Sequence, residues 1–212
     1  PSQAEREAHE AEGRANYKSW CRACVSGRGR SDAHQRLNPD GRAVVVLAID
    51  YGYLESRADM PEGATPSPIL ISRASQTWKV SAHALPSKGT AHPCNVEALV
   101  SVMLQLGVTR FALRSDNEPA ILELKTQAAR LARDRHGFEI MPEETPEGDS
   151  ASNGLAEGAV RDVKAQCRVL RFAVEALHNV TLQPRSPILP WLVSYAATVI
   201  NIARRGPDGF TP

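Results

Sequence analysis

A chain of 212 residues with 42% apolar content can bury a real core, and its length suits one domain plus an appendage. The formal net charge of +1 does not suggest a general polyanion binder, so any nucleic-acid surface has to be local. The longest clean apolar run, Ala43–Ile49, is far too short to span a bilayer, and the first twenty residues are too rich in Glu, Arg, Lys and His for a signal peptide.

The expectation is a soluble intracellular protein, read as a fragment of something longer. Cys21, Cys24, Cys94 and Cys167 do not make a secreted disulfide framework.

In chain order, residues 1–40 are polar and end at a break, Asn38-Pro39-Asp40-Gly41, the expected domain boundary. Ala43–Tyr53 (AVVVLAIDYGY) opens as a continuous apolar run, the mark of a strand buried on both faces. Pro68–Ser75 and Trp78–Leu85 read as two further strands after a proline-rich loop at Asp59–Pro68. Asn95–Leu106 has helical apolar spacing and Gly107 as its stop. A short strand at Phe111–Leu113 leads into RSDNEPA, then a helix at Ile121–Arg135 and a strand at Phe138–Met141. Pro142–Ser152 reads as a loop, and Asn153–His178 and Leu189–Arg204 as helices. Trp191 and Tyr195, one turn apart, are expected in the core. Three strands, then helix, strand, helix, strand and two helices predict an α/β fold with a mixed sheet.

Asp50 ends the most apolar strand, Asp116 ends another, and Glu157 lies in the first turns of the long helix. Taken singly, each has a structural reading: a turn former, a helix cap, a partner for the helix dipole. Taken together, three carboxylates from two strand ends and a helix suit two divalent cations about 4 Å apart, which can activate a nucleophile and stabilise a leaving oxygen in phosphoryl transfer. Magnesium favours such all-oxygen sites. Beyond Glu157, Arg161, Lys164, Arg168 and Arg171 recur at steps of three or four. The core stripe is expected at Val160, Val163, Cys167, Leu170, Val174 and Leu177. A basic row is commonly a solvated face; beside a metal site it is placed to grip a DNA backbone.

Near the N-terminus, Cys21-Arg22-Ala23-Cys24 is a CxxC, with His9 before it and His34 after it, a donor set that suits tetrahedral zinc. His83 and His92 have no partners at ligand spacing, and Cys94 and Cys167 read as thiols without a role.

An aspartate ending the first strand, S-D-N before a helix and S-N-G-x-x-E opening a long helix together resemble the catalytic core of retroviral and retrotransposon integrases. Lys88-Gly89 and the tail from Trp191 through Gly206-Pro207-Asp208-Gly209-Phe210-Thr211-Pro212 add to the resemblance, which covers roughly residues 43–212. It implies a ribonuclease-H-like fold, a five-stranded mixed sheet flanked by helices, with residues 41–212 as catalytic core and 1–40 as a zinc-binding appendage. It further implies Asp50, Asp116 and Glu157 as ligands of two Mg²⁺ or Mn²⁺ ions, and His9, Cys21, Cys24 and His34 as ligands of Zn²⁺. Arg161, Lys164, Arg168, Asn117 and Asn153 would serve DNA binding, with Asn117 supporting the Asp116 turn.

The implied activity is DNA 3′-end processing and strand transfer by part of a retrotransposon polyprotein. Its partners would be element ends, target duplex and further copies of the chain, without a membrane, and its place of action nuclear DNA. The rivals are a ribonuclease-H-like nuclease and a domesticated relic that only binds DNA. This sequence departs from the pattern in three places. Glu118 stands where retroviral members have glycine, 40 residues (117–156) separate Asp116 from Glu157, and only one histidine precedes the CxxC.

Overall fold

The computed structural model describes residues 1–27, 44–54, 66–145, 153–183, 186–206 and 209–212. Two short helices, α1 (Gln3–Ala11) and α2 (Arg22–Gly27), precede strand β1 (Val45–Tyr53). There follow β2 (Pro68–Ala74), β3 (Val80–Ala84), α3 (Pro93–Leu104), β4 (Arg110–Ser115), α4 (Pro119–His136), β5 (Glu139–Glu144), α5 (Gly154–His178) and α6 (Ile188–Ala203). The strands form one sheet in the order β3-β2-β1-β4-β5. β1, β2 and β3 run antiparallel as a meander, whereas β4 pairs parallel with β1 and β5 parallel with β4. The parallel pairs need crossovers, which α3 and α4 supply. The result is the α/β mixed sheet flanked by helices that the element order predicts.

Two apolar layers cover the sheet. On one face Leu47, Ile49, Tyr51, Leu70, Phe111 and Leu113 pack under α3 and α4. On the other, Ile69, Ile71, Val80 and Ala82 pack under α5 and α6. Alternation along β1 therefore decides orientation. Asp50 pairs with Ile71 and so faces α5, while Tyr51 faces α3 and α4.

The element boundaries differ from expectation where proline acts. α3 and α4 begin at Pro93 and Pro119, earlier than Asn95 and Ile121, because proline at the first helical turn lacks only an N–H that had no partner there. β5 runs on through Pro142 to Glu144, with Leu113 opposite Pro142; it is an edge strand, where a missing donor is tolerated. The expected loop at Pro142–Ser152 thus begins only at Thr145, and its residues 146–152 lie outside the described residues. Gly137 closes α4 in the left-handed conformation, as its position suggested.

Three apolar side chains placed in the core by pattern are outside it. Trp191 (56% exposed) and Tyr195 (38%) stack on each other on the solvent side of α6, and Leu177 (79%) lies in the last turn of α5. α6 instead buries Leu189, Leu192, Val193, Ala196, Ala197 and Ile200, a complete face without them. Among the described residues, no helix is long and apolar enough to cross a membrane.

The expected boundary at Asn38–Gly41 lies outside the described residues, but residues 1–27 pack on the core. Cys21, Ala23 and Cys24 meet Val169 of α5, and Asn16 donates its amide to the Ala203 carbonyl at 2.9 Å. α1 opens with a capping box in which Ser2 and Glu5 bond reciprocally.

The outer edge of β3 is covered by α6. Asn201 accepts from the Val80 N–H at 2.9 Å and donates to the Val80 carbonyl at 2.7 Å, satisfying both free backbone groups of that residue. Asn201→Ala is therefore expected to cost about 1–2 kcal/mol. Urea denaturation should show a lower midpoint with an unchanged slope.

Candidate active site

Parallel register brings two of the three acids to one level. Ala48 pairs with Arg114, so two residues on, Asp50 stands level with Asp116 on the adjacent strand. Asp116 directly follows the last residue of β4, whereas Asp50, expected to end β1, lies inside it, because the pairing with β2 carries β1 on to Tyr53. Helix α5 then crosses the α5-facing side of β1. It comes close because Gly52, on the same side as Asp50, has no side chain: a Cβ there would lie 3.3 Å from Val160 and 4.0 Å from the Lys164 side chain. Glu157, in the first turn of α5, is thereby delivered beside Asp50.

The three acids share an electrostatic environment. Burial pushes the Asp50 carboxyl up to about 6. The hydrogen bond from its own neighbour's amide (Tyr51 N to Oδ1, 2.7 Å) opposes this, and the charges of Asp116, Glu157 and Glu118 add to the rise. A cation at this position would relieve that repulsion, and the donors are all oxygen, as magnesium or manganese prefers. The set is open: Asp50, Asp116 and Glu157 do not bring three oxygens within 4.8 Å of one another, the spacing for ligands of a single ion. These residues fit cations that each bind only part of the set.

Asp116 is not the helix cap that its sequence context offered, because the N-cap of α4 is Glu118, without a side-chain cap bond. The Asp116 Oδ1 accepts from the Glu118 N–H at 3.3 Å, forming a turn of Asx type, and Pro119 then starts α4. Asn117 donates its amide to the Thr145 carbonyl at 3.0 Å, tying this turn to the end of β5. Glu118 does not act as a loose extra acid. Lys88 Nζ reaches both its oxygens, at 2.6 and 2.7 Å, while sitting 4.9 Å from the ring centre of Tyr51 and 5.4 Å from that of Tyr53. The Tyr51 hydroxyl accepts from the N–H of Gly89, whose φ of +72° suits glycine. The Lys88-Gly89 pair is thus anchored on the opposite face of the strand that carries Asp50.

A cleft of about 360 Å³ is lined by Asp50, Glu157, Val160, Arg161, Lys164 and Arg168. Asp116 is not in its lining, although its charge acts on Asp50. Three of the four expected cations therefore line the cleft. The fourth, Arg171, turns away to bond Glu175 and the Leu182 carbonyl. Asn153 was expected against DNA, but it is buried at 5% exposure at the start of α5 and offers little surface for a contact.

Other charged residues here had no sequence signal. Asp162 bridges buried Arg73 (2.6 Å) and Arg204 (2.8 Å). Burial works to raise the Asp162 carboxyl, but the two guanidinium groups outweigh it and hold it below the usual range. Gly158 leaves room for Arg73, since a Cβ would lie 3.1 Å from its Nη1. Lys125, 3% exposed, donates to the Glu143 carbonyl at 2.8 Å, and burial lowers its proton affinity. Only spatial neighbours on distant segments give these residues their roles.

A second constellation lies in the N-terminal segment. The ligand atoms of His9, Cys21 and Cys24 are within 4.8 Å of one another, all three residues are buried, and Cys24 Sγ is 3.3 Å from His9 Nε2. Two sulfurs and an imidazole nitrogen converging in a buried pocket fit zinc. The expected fourth ligand, His34, lies outside the described residues. Cys167 stands apart, a buried thiol whose proton affinity burial pushes up to about 12, and Cys94 is exposed.

The Asp50 environment has a measurable consequence. Its carboxyl holds a proton more tightly folded, at about 6, than at its ordinary 3.8, so the ionised form opposes folding. That cost is absent below about pH 4, grows between 4 and 6, and stays above. Without divalent metal, Asp50→Asn should therefore be more stable than the parent at pH 7.5, by of order 1 kcal/mol after allowing for solvent screening, and should lose that advantage by pH 4. Urea titrations at the two pH values decide it. Magnesium should stabilise the parent more than the variant.

No protein-family model matches the chain. No curated protein matches it either. Solved structures do. The catalytic core domain of BIV integrase aligns over 79% of this chain and 90% of its own, at 18% identity and a TM-score of 0.50. The HTLV-2 integrase catalytic core domain, solved with magnesium in a dimeric form, aligns over 78% of this chain and 91% of its own, at 15% identity and a TM-score of 0.50. At such identities the likeness is one of fold, and the five-stranded mixed sheet flanked by helices is consistent with it: the chain has the ribonuclease-H-like fold of retroviral integrase catalytic cores.

Proposed function

We propose that this chain is the integrase core of a retrotransposon polyprotein, a metal-dependent polynucleotidyl transferase that trims DNA 3′ ends and joins them to a target duplex. The observation that carries the reading is geometric: Asp50 and Glu157 line one cleft that Arg161, Lys164 and Arg168 continue, with Asp116 close enough for its charge to act on Asp50.

Asp50, Asp116 and Glu157 would hold two divalent ions, which when bound supply a lowered water pKa and a clamp on the entering and leaving oxygens. The chain's own part is positioning. Arg161, Lys164 and Arg168 place successive backbone phosphates along α5, so that the scissile phosphate lies over the acids. Lys88 neutralises Glu118 and keeps its carboxylate out of that space. In trimming, a water oxygen forms the new bond to phosphorus, the 3′ oxygen of the retained element strand leaves as a hydroxyl, and the terminal segment departs with the 5′ phosphate. In joining, the trimmed 3′ hydroxyl forms the new bond and a target-strand 3′ oxygen leaves. Neither step needs a covalent bond to the protein.

The related HTLV-2 domain was solved with magnesium and as a dimer, which supports the same metal class and self-association here. In this reading His9, Cys21 and Cys24 hold a structural zinc ion. The protein works inside the cell on nuclear DNA.

Strand joining on a branched DNA that mimics an integration product tests the proposal, with Mg²⁺ or Mn²⁺ and with Glu157→Gln beside the parent. Joining that needs metal and disappears in the variant is expected. Cleavage of RNA in hybrids without joining would instead identify a nuclease, and metal-independent DNA binding without either reaction would identify a relic. Lys164→Gln should weaken DNA binding at every sequence and lower the slope of log K against log salt by about 0.9.

A further inference from the structure

Arg168 belongs to two sites at once. It lines the cleft, and its Nε donates to the carbonyl of Gly27, the last residue of α2, at 2.8 Å. We infer that the His9–Cys21–Cys24 metal centre positions Arg168 for a DNA phosphate, so that metal loading of the N-terminal segment sets the DNA affinity of a cleft it does not itself line. The inference rests on the DNA reading of that cleft.

Helix α2 has six residues, far too few to persist alone. Two things hold it. One is the ligand set: Cys21 immediately precedes the helix, Cys24 lies inside it, and His9 comes from α1, so a bound ion ties the two helices together. The other is the face of α5. A Cβ on Gly27 would lie 2.5 Å from a Val169 methyl group and 2.8 Å from the Val169 backbone nitrogen, so the end of α2 sits directly on α5. Arg22 lies over the Phe172 ring at 5.7 Å, and Gln166 donates to the Gly13 carbonyl at 2.6 Å in a buried bond.

The contacts on α5 thus fall at Gln166, Arg168, Val169 and Phe172. The carbonyls of a helix's last turn have no partner within the helix, and Arg168 satisfies one of them. A guanidinium has five N–H donors, so one bond to Gly27 leaves others for a phosphate while restricting where the fork can point. Without the ion, α1 and α2 lose their common tie and the Gly27 carbonyl its fixed place. Arg168 must then be ordered by DNA at an entropic cost.

The test compares parent and Arg168→Gln, each stripped of metal by a chelator and each reloaded with zinc chloride. It reads fluorescence anisotropy of a labelled duplex across a salt series. In the parent, zinc removal should weaken binding several-fold and lower the salt slope by about 0.9, and zinc should restore both. Arg168→Gln should show the weaker affinity and lower slope throughout, indifferent to zinc. A parent indifferent to zinc, or a variant that loses as much again on stripping, overturns the inference. Absence of salt-dependent DNA binding in every sample sinks the DNA reading instead. Amide hydrogen exchange over residues 22–27 and 166–172 still tests the link in that case. Slower exchange with zinc upholds the positioning of α2 on α5, and zinc-independent exchange overturns it.

Discussion

The close approach of α5 to β1 is the contact on which the rest of the arrangement depends. Gly52 leaves room for it, because a Cβ there would lie 3.3 Å from both Val160 and Ile71, tight enough that one of them would have to give. Through that contact α5 sets Glu157 beside Asp50, lays its basic row along the cleft and presents Val169 and Phe172 to the N-terminal helices. One helix therefore joins the acids, the cations and the metal-ligand cluster. Its long buried face, which includes Ala159, Val163, Cys167 and Leu170, supplies the apolar burial that keeps it in place.

Charge is sorted locally in a chain that is nearly neutral overall. Burial, with the repulsion of Asp116 and Glu157 added to it, is why Asp50 holds its proton so tightly. Nearby acids that would confuse the site are neutralised: Glu118 by Lys88, Glu143 by Arg114, and Asp162 by Arg73 and Arg204. Acids crowded so that one holds its proton tightly are unfavourable for folding, and such a cluster beside paired acids is the pattern expected where stability gives way to chemistry.

The N-terminal segment shows how a small element joins a larger one. Its helices have nine and six residues, and among the described residues it contributes Cys21, Ala23 and Cys24 to the small buried cluster that Val169 of α5 completes. Such a unit needs a metal or a neighbour to hold it. Here it has ligands for one and contacts with the other, and the same helix α5 that carries Glu157 is the neighbour.

Much of this was legible in the sequence. Apolar runs and helical spacing located the strands and long helices, since burial periodicity is a local property of the chain. Asp116 and Glu157 were legible because each sits at an element's end, and Asp50 because it is the one acid in the most apolar strand, although that strand continues past it to Tyr53. The Ser2–Glu5 capping box was an available sign of α1, but a local signal says nothing of where a helix docks. Tertiary structure alone decided which cations share the cleft, that Arg171 leaves the row, that Glu118 is held by Lys88, that Asn153 is buried, and that Trp191 and Tyr195 are exposed. Sequence determines which face of an element is apolar. Which residues thirty or a hundred positions apart become neighbours is set by sheet register and helix packing, and those follow from the fit of the whole core.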